Sequence, residues 1–187
     1  MPRIVIVKLR TARLIIEPLV EADIPSFVEY RRRPDVARFQ SWTRDYSTAQ
    51  ARDLVAAQPT DDLPAPGNWL QLAMRHDERL VGDLAVYTLD GQPDSYELGV
   101  TVGQQRQGFA REGMTALIAH LLGLGARRIV AESDARNEPV AGLLEAVGFR
   151  RESRQADAEW FKQEWVTLDG WVLSRPVETG RRVTGRG

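Results

Sequence analysis

The segment from residue 96 to residue 134 constrains the fold more than any other part of the sequence. "YELGVTV" (96–102) is a run of strand-forming residues, and "GQQRQG" follows it as a turn with two glycines. Apolar residues then recur at helical spacing from Met114 to Leu122, and "ARRIVAESD" (126–134) is a second apolar strand. A crossover helix between two strands makes those strands parallel neighbours in one sheet. The segment therefore predicts an α/β domain.

The other predicted elements lie on both sides of this unit. Those before it are a strand within 9–19 that ends at Pro18, a helix within 20–33 capped by Asp23, a helix beginning at Ser47 or Thr48, a proline-rich loop over 59–67, and a hairpin of strands 68–76 and 79–89 around a turn at 76–78. Those after it are helix 137–149 and paired strands within 159–175. The order predicts a mixed sheet, antiparallel early and parallel around the crossover helix. We expect one domain over 1–176 and a mobile tail over 177–187.

Composition excludes several classes of protein. With 25 basic and 26 acidic residues, the chain has no general attraction for nucleic acid or an acidic membrane. No stretch approaches the roughly 20 apolar residues of a membrane span, and no signal peptide is evident, so we expect a cytoplasmic protein. The absence of cysteine excludes disulfides and thiolate metal sites, and two histidines leave little for zinc, so we expect no metal.

The turn before the predicted crossover helix is suited to an anion. The first N–H groups of a helix have no partner inside it, and the helix dipole adds positive charge at the same end. Gly108 lets the backbone approach a ligand, Ala110 keeps the surface flat, and Arg106 and Arg111 add charge. The turn lacks the lysine and hydroxyl of a P-loop and the three spaced glycines of a dinucleotide site. It predicts a site for a phosphate or pyrophosphate.

Several motifs of this sequence resemble those of one enzyme family. Gln105-x-x-Gly108-x-Ala110 is similar to the acyl-CoA pyrophosphate motif of the GNAT N-acetyltransferases, and "NEPVAGLLEAVGF" (137–149) looks like the family's second motif. "TARLIIEPLVEADIPSF" and "RPDVARFQSW" resemble the opening of the ribosomal-protein N-terminal acetyltransferase subgroup. The resemblance covers roughly residues 10–175. It implies a three-layer α+β fold with a mixed, centrally splayed sheet and helices on both faces.

The resemblance implies a donor and the residues that bind it. The donor would be acetyl-CoA, with its pantetheine arm on the backbone of the first strand and its pyrophosphate on the turn. Asn137 would bond to the cofactor arm or brace the strand. It could also simply cap its own helix, and the two roles can coexist. The implied binding residues are Val100, Val102, Gln105, Arg106, Gln107, Gly108, Phe109, Ala110, Arg111 and Asn137.

The implied reaction is direct attack of an amine on the thioester. A backbone N–H of strand 98–102 would polarise the acetyl carbonyl. The amine must lose a proton, and Glu132 and Glu97 are the candidate general bases. Either glutamate can instead be a surface or ion-pairing residue. The acceptor would be a protein N-terminus or a small-molecule amine, and a homodimer is compatible with the sequence.

The sequence departs from the family at two positions near the leaving thiolate. Leu144 stands where many members carry a tyrosine, and Val140 stands where the ribosomal-protein subgroup carries a serine. Tyr87, Tyr96 or water could take over protonation, or the thiolate could leave unprotonated, and the identity of the general acid stays open. The departures support an alternative hypothesis, a non-catalytic acyl-CoA-binding or regulatory module.

Two further patterns allow both a structural and a functional interpretation. The basic run "YRRRPD" (30–35) could steer an acidic acceptor, although a solvated helix end is the preferred interpretation. Aromatic clusters can line an acceptor cleft, but packing in the core and sheet is their commoner role. The tryptophans are Trp42, Trp69, Trp160, Trp165 and Trp171.

Overall fold

The computed structural model describes residues 7–59, 66–92 and 94–174. Most of the predicted loop at 59–67 and all of the predicted tail at 177–187 lie outside these ranges. The strands are β1 (Leu9–Arg10), β2 (Ile15–Pro18), β3 (Trp69–His76), β4 (Arg79–Thr88), β5 (Ser95–Val102), β6 (Arg128–Asp134), β7 (Arg150–Phe161) and β8 (Glu164–Ser174). The helices are α1 (Ile24–Arg31), α2 (Pro34–Ala37), α3 (Thr48–Ala56), α4 (Phe109–Gly123) and α5 (Glu138–Ala146).

The described strands form one open sheet in the order β1-β2-β3-β4-β5-β6-β8-β7. Neighbouring strands are antiparallel except β5 and β6, which are parallel because α4 crosses over between them. The predicted mixed sheet is therefore confirmed.

The sheet opens at its centre. Pairing between β5 and β6 is recorded only over the first three residues of each, ending at Glu97 and Val130. Both strands continue beyond that point, to Val102 and Asp134. A strand that leaves its neighbour frees backbone N–H and C=O groups for another partner. The centrally splayed sheet implied by the resemblance is confirmed.

Alternating side chains place helices on both faces of the sheet. The face toward α4 carries the larger apolar core, with Leu72, Leu84 and Leu98 from successive strands. The opposite face carries a smaller core built from α1 and its neighbours, which includes Phe27 and Ala73. The three layers of the predicted fold are present, and the splay at β5 and β6 lies between them.

The predicted strand ends at Pro18, as β2 does, but it is not one continuous strand, because the chain turns within 9–19. β1 and β2 are two short antiparallel strands, with Leu9 opposite Ile16. The Thr11 N–H donates to Leu14 O at 2.9 Å, and the Leu14 N–H donates to Thr11 Oγ1 at 2.8 Å. A threonine hydroxyl closes this turn without glycine or proline, so the usual sequence signal is missing.

The predicted strand pair within 159–175 begins too late. β7 begins at Arg150, and most of its side chains are exposed because it forms the edge of the sheet. Its first residues are polar and lack the alternation that predicts a strand. They are held by pairing with β8 and by an ion pair in which Arg154 donates to Asp169 at 2.6 and 2.7 Å. Edge strands with charged side chains resist pairing with other chains.

The predicted start of the second helix is confirmed, whereas the predicted side-chain cap at Asp23 is wrong. Ser47 caps α3, since its Oγ accepts from the Gln50 N–H at 3.1 Å while Gln50 Oε1 accepts from the Ser47 N–H at 2.8 Å. Asp23 does not cap α1 through its side chain. Its carboxylate instead accepts from the Val20 N–H at 2.9 Å and pairs with Arg75.

Candidate active site

The turn between β5 and α4 begins its helix at a left-handed glycine. Gly108 has a φ of 78°, which glycine adopts at little cost, and a Cβ there would lie 3.2 Å from Arg13 Nη2. The Glu112 N–H donates to Gly108 O at 3.1 Å and makes the first helical bond. The preceding N–H groups of α4 have no acceptor within the helix and are available to a ligand. The requirement for glycine is therefore one of backbone conformation.

A groove of about 420 Å³ runs beside this turn. Its walls are the end of β5, the turn, and the first residues of α4 and α5. The residues of the predicted binding set that line it are Val100, Val102, Gln105, Arg106, Gly108, Phe109, Ala110, Arg111 and Asn137. Gln107 is not in the lining; its carbonyl accepts from Arg13 Nη1 at 2.9 Å. The structure brings the rest of the set together, and their roles remain predictions.

Asn137 lies where both of its predicted roles are open to it. It precedes α5, and its Oδ1 accepts from the Val140 N–H at 3.4 Å, a long capping bond. It also lines the groove. A cap this weak leaves the amide able to bond to a ligand.

The turn is braced from the N-terminal hairpin by residues that the sequence interpretation missed. The Arg13 guanidinium donates to Glu112 Oε2 at 2.7 Å as well as to the turn, and Thr11 Oγ1 donates to Glu112 Oε1 at 2.5 Å. Although burial opposes it, the pKa of Glu112 is lowered by the hydrogen bonds from Thr11 and Arg13. Arg13 and Glu112 are 99 residues apart and share no motif, so no local signal indicates the contact.

Glu112→Gln is expected to loosen the turn. It removes the charge that binds Arg13, and should lower the free energy of unfolding by about 1 kcal/mol at pH 7. Because folding lowers the pKa of Glu112, its ionised form contributes fully to the free energy of unfolding at a pH above its ordinary pKa of 4.5. This contribution is lost as the pH falls through the pKa of the folded state. Urea denaturation of the wild type and the variant, at pH 7 and at lower pH, measures this difference in the free energy of unfolding. Glu138→Gln, in the exposed first turn of α5, is the matched control; equal losses in both variants would contradict the brace.

A second cavity of about 550 Å³ lies on the opposite face of the sheet, under α1 and α3. We call it the acceptor cleft, as a name only, after the amine acceptor that the resemblance implies. Its floor includes Ala85 and Gly99, which face each other across β4 and β5, and a Cβ on Gly99 would lie 3.5 Å from Ala85 Cβ. Trp42 and Trp69 contribute aromatic walls. Small residues in the floor and large residues in the walls give the cleft its depth.

The groove and the acceptor cleft meet at the splay. Gln40, Val100 and Thr101 line both cavities. Val100 and Thr101 lie on β5 beyond Glu97, the last residue paired with β6. A molecule in the groove and a molecule in the cleft can therefore contact each other through the opening in the sheet.

The two predicted general bases lie on neighbouring strands beside this opening. Glu97 is half-buried on β5, and Glu132 is exposed on β6, where it lines a small cavity with Glu159 and Ser41. Burial and the nearby charge of Glu132 raise the pKa of Glu97. Burial and the charge of Glu159 raise the pKa of Glu132. Such shifts bring a carboxylate closer to the range in which it accepts a proton at neutral pH.

The preferred interpretation of "YRRRPD" as a solvated helix end is wrong for its second residue. Arg31 is 5% exposed and lies 3.4 Å from the carboxylate of Asp83, which is 1% exposed. Tyr30 and Gln71 also donate to Asp83. Burial raises the pKa of Asp83, while Arg31 and these two donors act in the opposite direction. Arg31, Gln71 and Asp83 form the inner end of the acceptor cleft.

The tryptophans fall into three groups. Trp42 and Trp69 line the acceptor cleft, as the functional alternative proposed. Trp171 is buried and donates to Ser133 Oγ at 2.9 Å, in keeping with core packing. Trp160 and Trp165 face each other near the β7–β8 turn and are 59% and 58% exposed, so their main role is not core packing.

A group of metal ligands and a membrane-spanning helix are both absent from the part of the chain that the structure describes. Within residues 7–59, 66–92 and 94–174, no three His, Asp or Glu side chains are grouped so that they could hold a metal ion. In the same ranges, no helix has the length and apolar character needed to cross a bilayer.

Sequence comparison identifies the family. Residues 13–150 match the family model described as an acetyltransferase (GNAT) domain. The chain belongs to the GNAT acetyltransferase family. The matched range contains the groove, the turn and the floor of the acceptor cleft, and ends where β7 begins. No curated protein sequence is significantly similar to the chain.

Solved structures share the GNAT fold at low sequence identity. A GNAT-family acetyltransferase from Bacillus anthracis has a TM-score of 0.78 at 19% identity, covering 90% of this chain and 98% of that one. RimL, the ribosomal L7/L12 alpha-N-protein acetyltransferase, in complex with coenzyme A, has a TM-score of 0.76 at 15% identity. The match covers 90% of this chain and 98% of that one. Spermidine N-acetyltransferase from Vibrio cholerae, in complex with CoA and spermine, has a TM-score of 0.75 at 14% identity. The match covers 88% of this chain and 96% of that one.

The residues that replace the usual GNAT proton donors differ in their surroundings. Leu144 is 2% exposed and belongs to the core, whereas Val140 lines the groove. Tyr96 is buried on the α4 side, and the Tyr87 hydroxyl donates to Asp90 at 3.2 Å. Neither tyrosine lines the groove or the cleft. Thr101, which the sequence interpretation did not single out, carries a hydroxyl and lines both cavities.

Proposed function

We propose that this GNAT chain transfers an acetyl group from acetyl-CoA to a primary amine. The observation that carries the proposal is the meeting of the groove and the acceptor cleft at Gln40, Val100 and Thr101. Direct transfer requires donor and acceptor to contact each other from separate sites. The opening in the sheet provides that contact.

The groove has the chemistry that acetyl-CoA requires. The free N–H groups at the start of α4, together with Arg106 and Arg111 in the lining, suit the pyrophosphate. Pro139, Val140 and Leu143 give the groove an apolar side for the pantetheine arm. Bound there, acetyl-CoA supplies the activated acetyl group.

The chain's own groups hold the reactants and move the proton. Backbone N–H groups of β5 beyond Glu97 have no recorded pairing with β6, and one of them would polarise the acetyl carbonyl. Glu97 or Glu132 would accept the proton that the attacking amine loses. The lining of the cleft would orient the amine toward Val100.

Glu97→Gln and Glu132→Gln test the proton acceptor. The residue that acts as base should lose about 10²- to 10⁴-fold in kcat/KM, measured as thiol release over a panel of amines and peptides. Wild-type activity should rise with pH through the raised pKa of that glutamate, because only the deprotonated form accepts a proton, and the variant should lack this rise.

Glu159→Gln is the matched control for the pH profile. The charge of Glu159 raises the pKa of Glu132, so its removal should move the acid limb to lower pH without abolishing activity, if Glu132 is the base. Full activity in both the Glu97 and Glu132 variants would eliminate both as bases.

A second candidate function is a non-catalytic acyl-CoA-binding or regulatory module. The buried position of Leu144 and the apolar side chain of Val140 favour it, because neither residue can protonate a leaving thiolate. Acetyl-CoA binding without thiol release on a broad amine panel would support the module. Failure to bind acetyl-CoA would eliminate both functions.

The relatives do not decide the acceptor. RimL acts on the N-terminus of a ribosomal protein, and the Vibrio enzyme acts on spermidine, yet both share this fold. The acceptor must therefore be inferred from the cleft of this chain.

A further inference from the structure

The inner end of the acceptor cleft holds a buried arginine with unused hydrogen-bond donors. Arg31 lines the cleft, is 5% exposed, and has an Nε that is buried without an acceptor among the described residues. Asp83 accepts from its Nη2 at 3.4 Å, and the hydroxyls of Tyr30 and Tyr46 also lie within hydrogen-bonding reach of the guanidinium. A guanidinium carries five N–H donors, and a buried donor without an acceptor destabilises the folded chain. A ligand oxygen in the cleft would add an acceptor for the part of the guanidinium that lines it.

The Asp83 carboxylate, in contrast, is well supplied with hydrogen-bond donors. Its carboxylate accepts from Tyr30 and Gln71 as well as from Arg31. The anion is supplied with donors from three side chains, while the Nε of the cation has no acceptor among the described residues. The group that would complete this end of the cleft is therefore an oxygen acceptor, and a carboxylate fits a guanidinium best.

Aromatic rings hold the arginine in place. Its Cζ lies 3.7 Å from the ring centroid of Trp42, 4.0 Å from that of Phe27 and 5.0 Å from that of Tyr46. Such contacts favour the cation and restrict its side chain before any ligand arrives. A pre-organised guanidinium binds an anion without a further cost in ordering.

The residues in the floor of the cleft change in character along β4 and β5, with polar or charged residues at both ends and small residues between them. Thr101 is opposite Asp83, Gly99 is opposite Ala85, and Glu97 is opposite Tyr87. Thr101 and Glu97 are four residues apart on one strand face, about 13 Å. Arg31 therefore lies at one end of this face and Glu97 lies at the other, with the small residues between them.

We propose that the acceptor is an amino carboxylate, whose carboxylate binds Arg31 while its amine lies over Gly99 toward the glutamates. This inference rests on the proposed transfer function, since it names the acceptor class of the same cleft. Trp42, Trp69 and Leu54 in the lining would contact an apolar side chain of the acceptor.

Matched compounds test the proposal. The first set is phenylalanine, phenethylamine and 3-phenylpropionate, and the second is leucine, isopentylamine and 4-methylpentanoate. In the presence of acetyl-CoA, each amino acid should be acetylated with a kcat/KM at least about 100-fold above that of its decarboxylated amine. The carboxylates that lack an amine should bind with CoA present, as measured by calorimetry, without being acetylated.

Arg31→Gln should remove both the binding of the carboxylates and the preference for amino acids. Because it leaves Asp83 without its cation, the variant Arg31→Gln/Asp83→Asn is made alongside it, with acetyl-CoA binding as the test of folding. Carboxylate binding that disappears in the folded variant supports the proposal.

The outcomes separate this proposal from the transfer function. Acetylation of the amines as fast as the amino acids would overturn the proposal and leave transfer intact. Absence of carboxylate binding at millimolar concentration would also overturn it. Carboxylate binding that depends on Arg31, with no acetylation of any amine, would support the anion site and overturn the transfer function on which the acceptor role rests.

Discussion

Ala110→Asp is expected to abolish acetyl-CoA binding while leaving the fold intact. Ala110 lies in the first turn of α4 and lines the groove, so a carboxylate there would repel the pyrophosphate. The same charge is favourable to the helix, by about 0.3–1 kcal/mol, because it lies at the positive end of the dipole. Affinity should fall at least about 100-fold, or roughly 2.8 kcal/mol, in calorimetric titration.

The control adds the same charge to the same helix away from the turn. Ala119→Asp lies on an exposed position of α4 and should bind acetyl-CoA as the wild type does. Gly108→Val is a poorer test, because the φ of 78° strains any side chain and would disturb the turn itself. Wild-type affinity in Ala110→Asp would show that the turn does not hold the pyrophosphate.

Asp83→Ala is expected to cause the largest loss of stability. The substitution leaves the Arg31 guanidinium buried without its counter-ion, and leaves Tyr30 and Gln71 without their acceptor. Removing one partner of a buried ion pair costs about 3–5 kcal/mol. For a chain of this size the Tm should fall by about 10 °C, measured by thermal or urea denaturation.

Two controls isolate the buried pair as the cause. Asp53→Ala, on an exposed position of α3, should change the free energy of unfolding by no more than about 0.5 kcal/mol. The double variant Arg31→Met/Asp83→Leu should recover much of the loss, since replacing both charges by apolar groups leaves neither unpaired. A loss in Asp83→Ala no larger than in Asp53→Ala would contradict the pair's structural role.

Elements whose signals are local could be predicted from the sequence. The β3–β4 hairpin is an example, since its two central residues, Asp77 and Glu78, have φ values of 47° and 65° and form the tight turn that two-residue hairpins require. The crossover helix and the turn before it were also predicted from spacing alone. The conformation of these segments depends on residues only a few positions apart, so the local sequence pattern is enough to predict it.

The elements that were missed depend on distant partners. β7 begins at Arg150 because β8 pairs with it, although its own residues are polar. The brace on the turn joins Arg13 to Glu112 across the sheet. Neither contact leaves a periodic signal, because one side of each lies far along the chain.

The sequence by itself determined the α/β order, the glycine turn suited to a pyrophosphate, and the membership in the GNAT family that its motifs indicated. Only the tertiary structure decided which charges are buried. Arg31 lies in a run of three arginines, and it is buried because Asp83, 52 residues away, neutralises it beneath aromatic rings. A charge can leave water only where a partner replaces the lost hydration, and the fold alone determines where that partner lies.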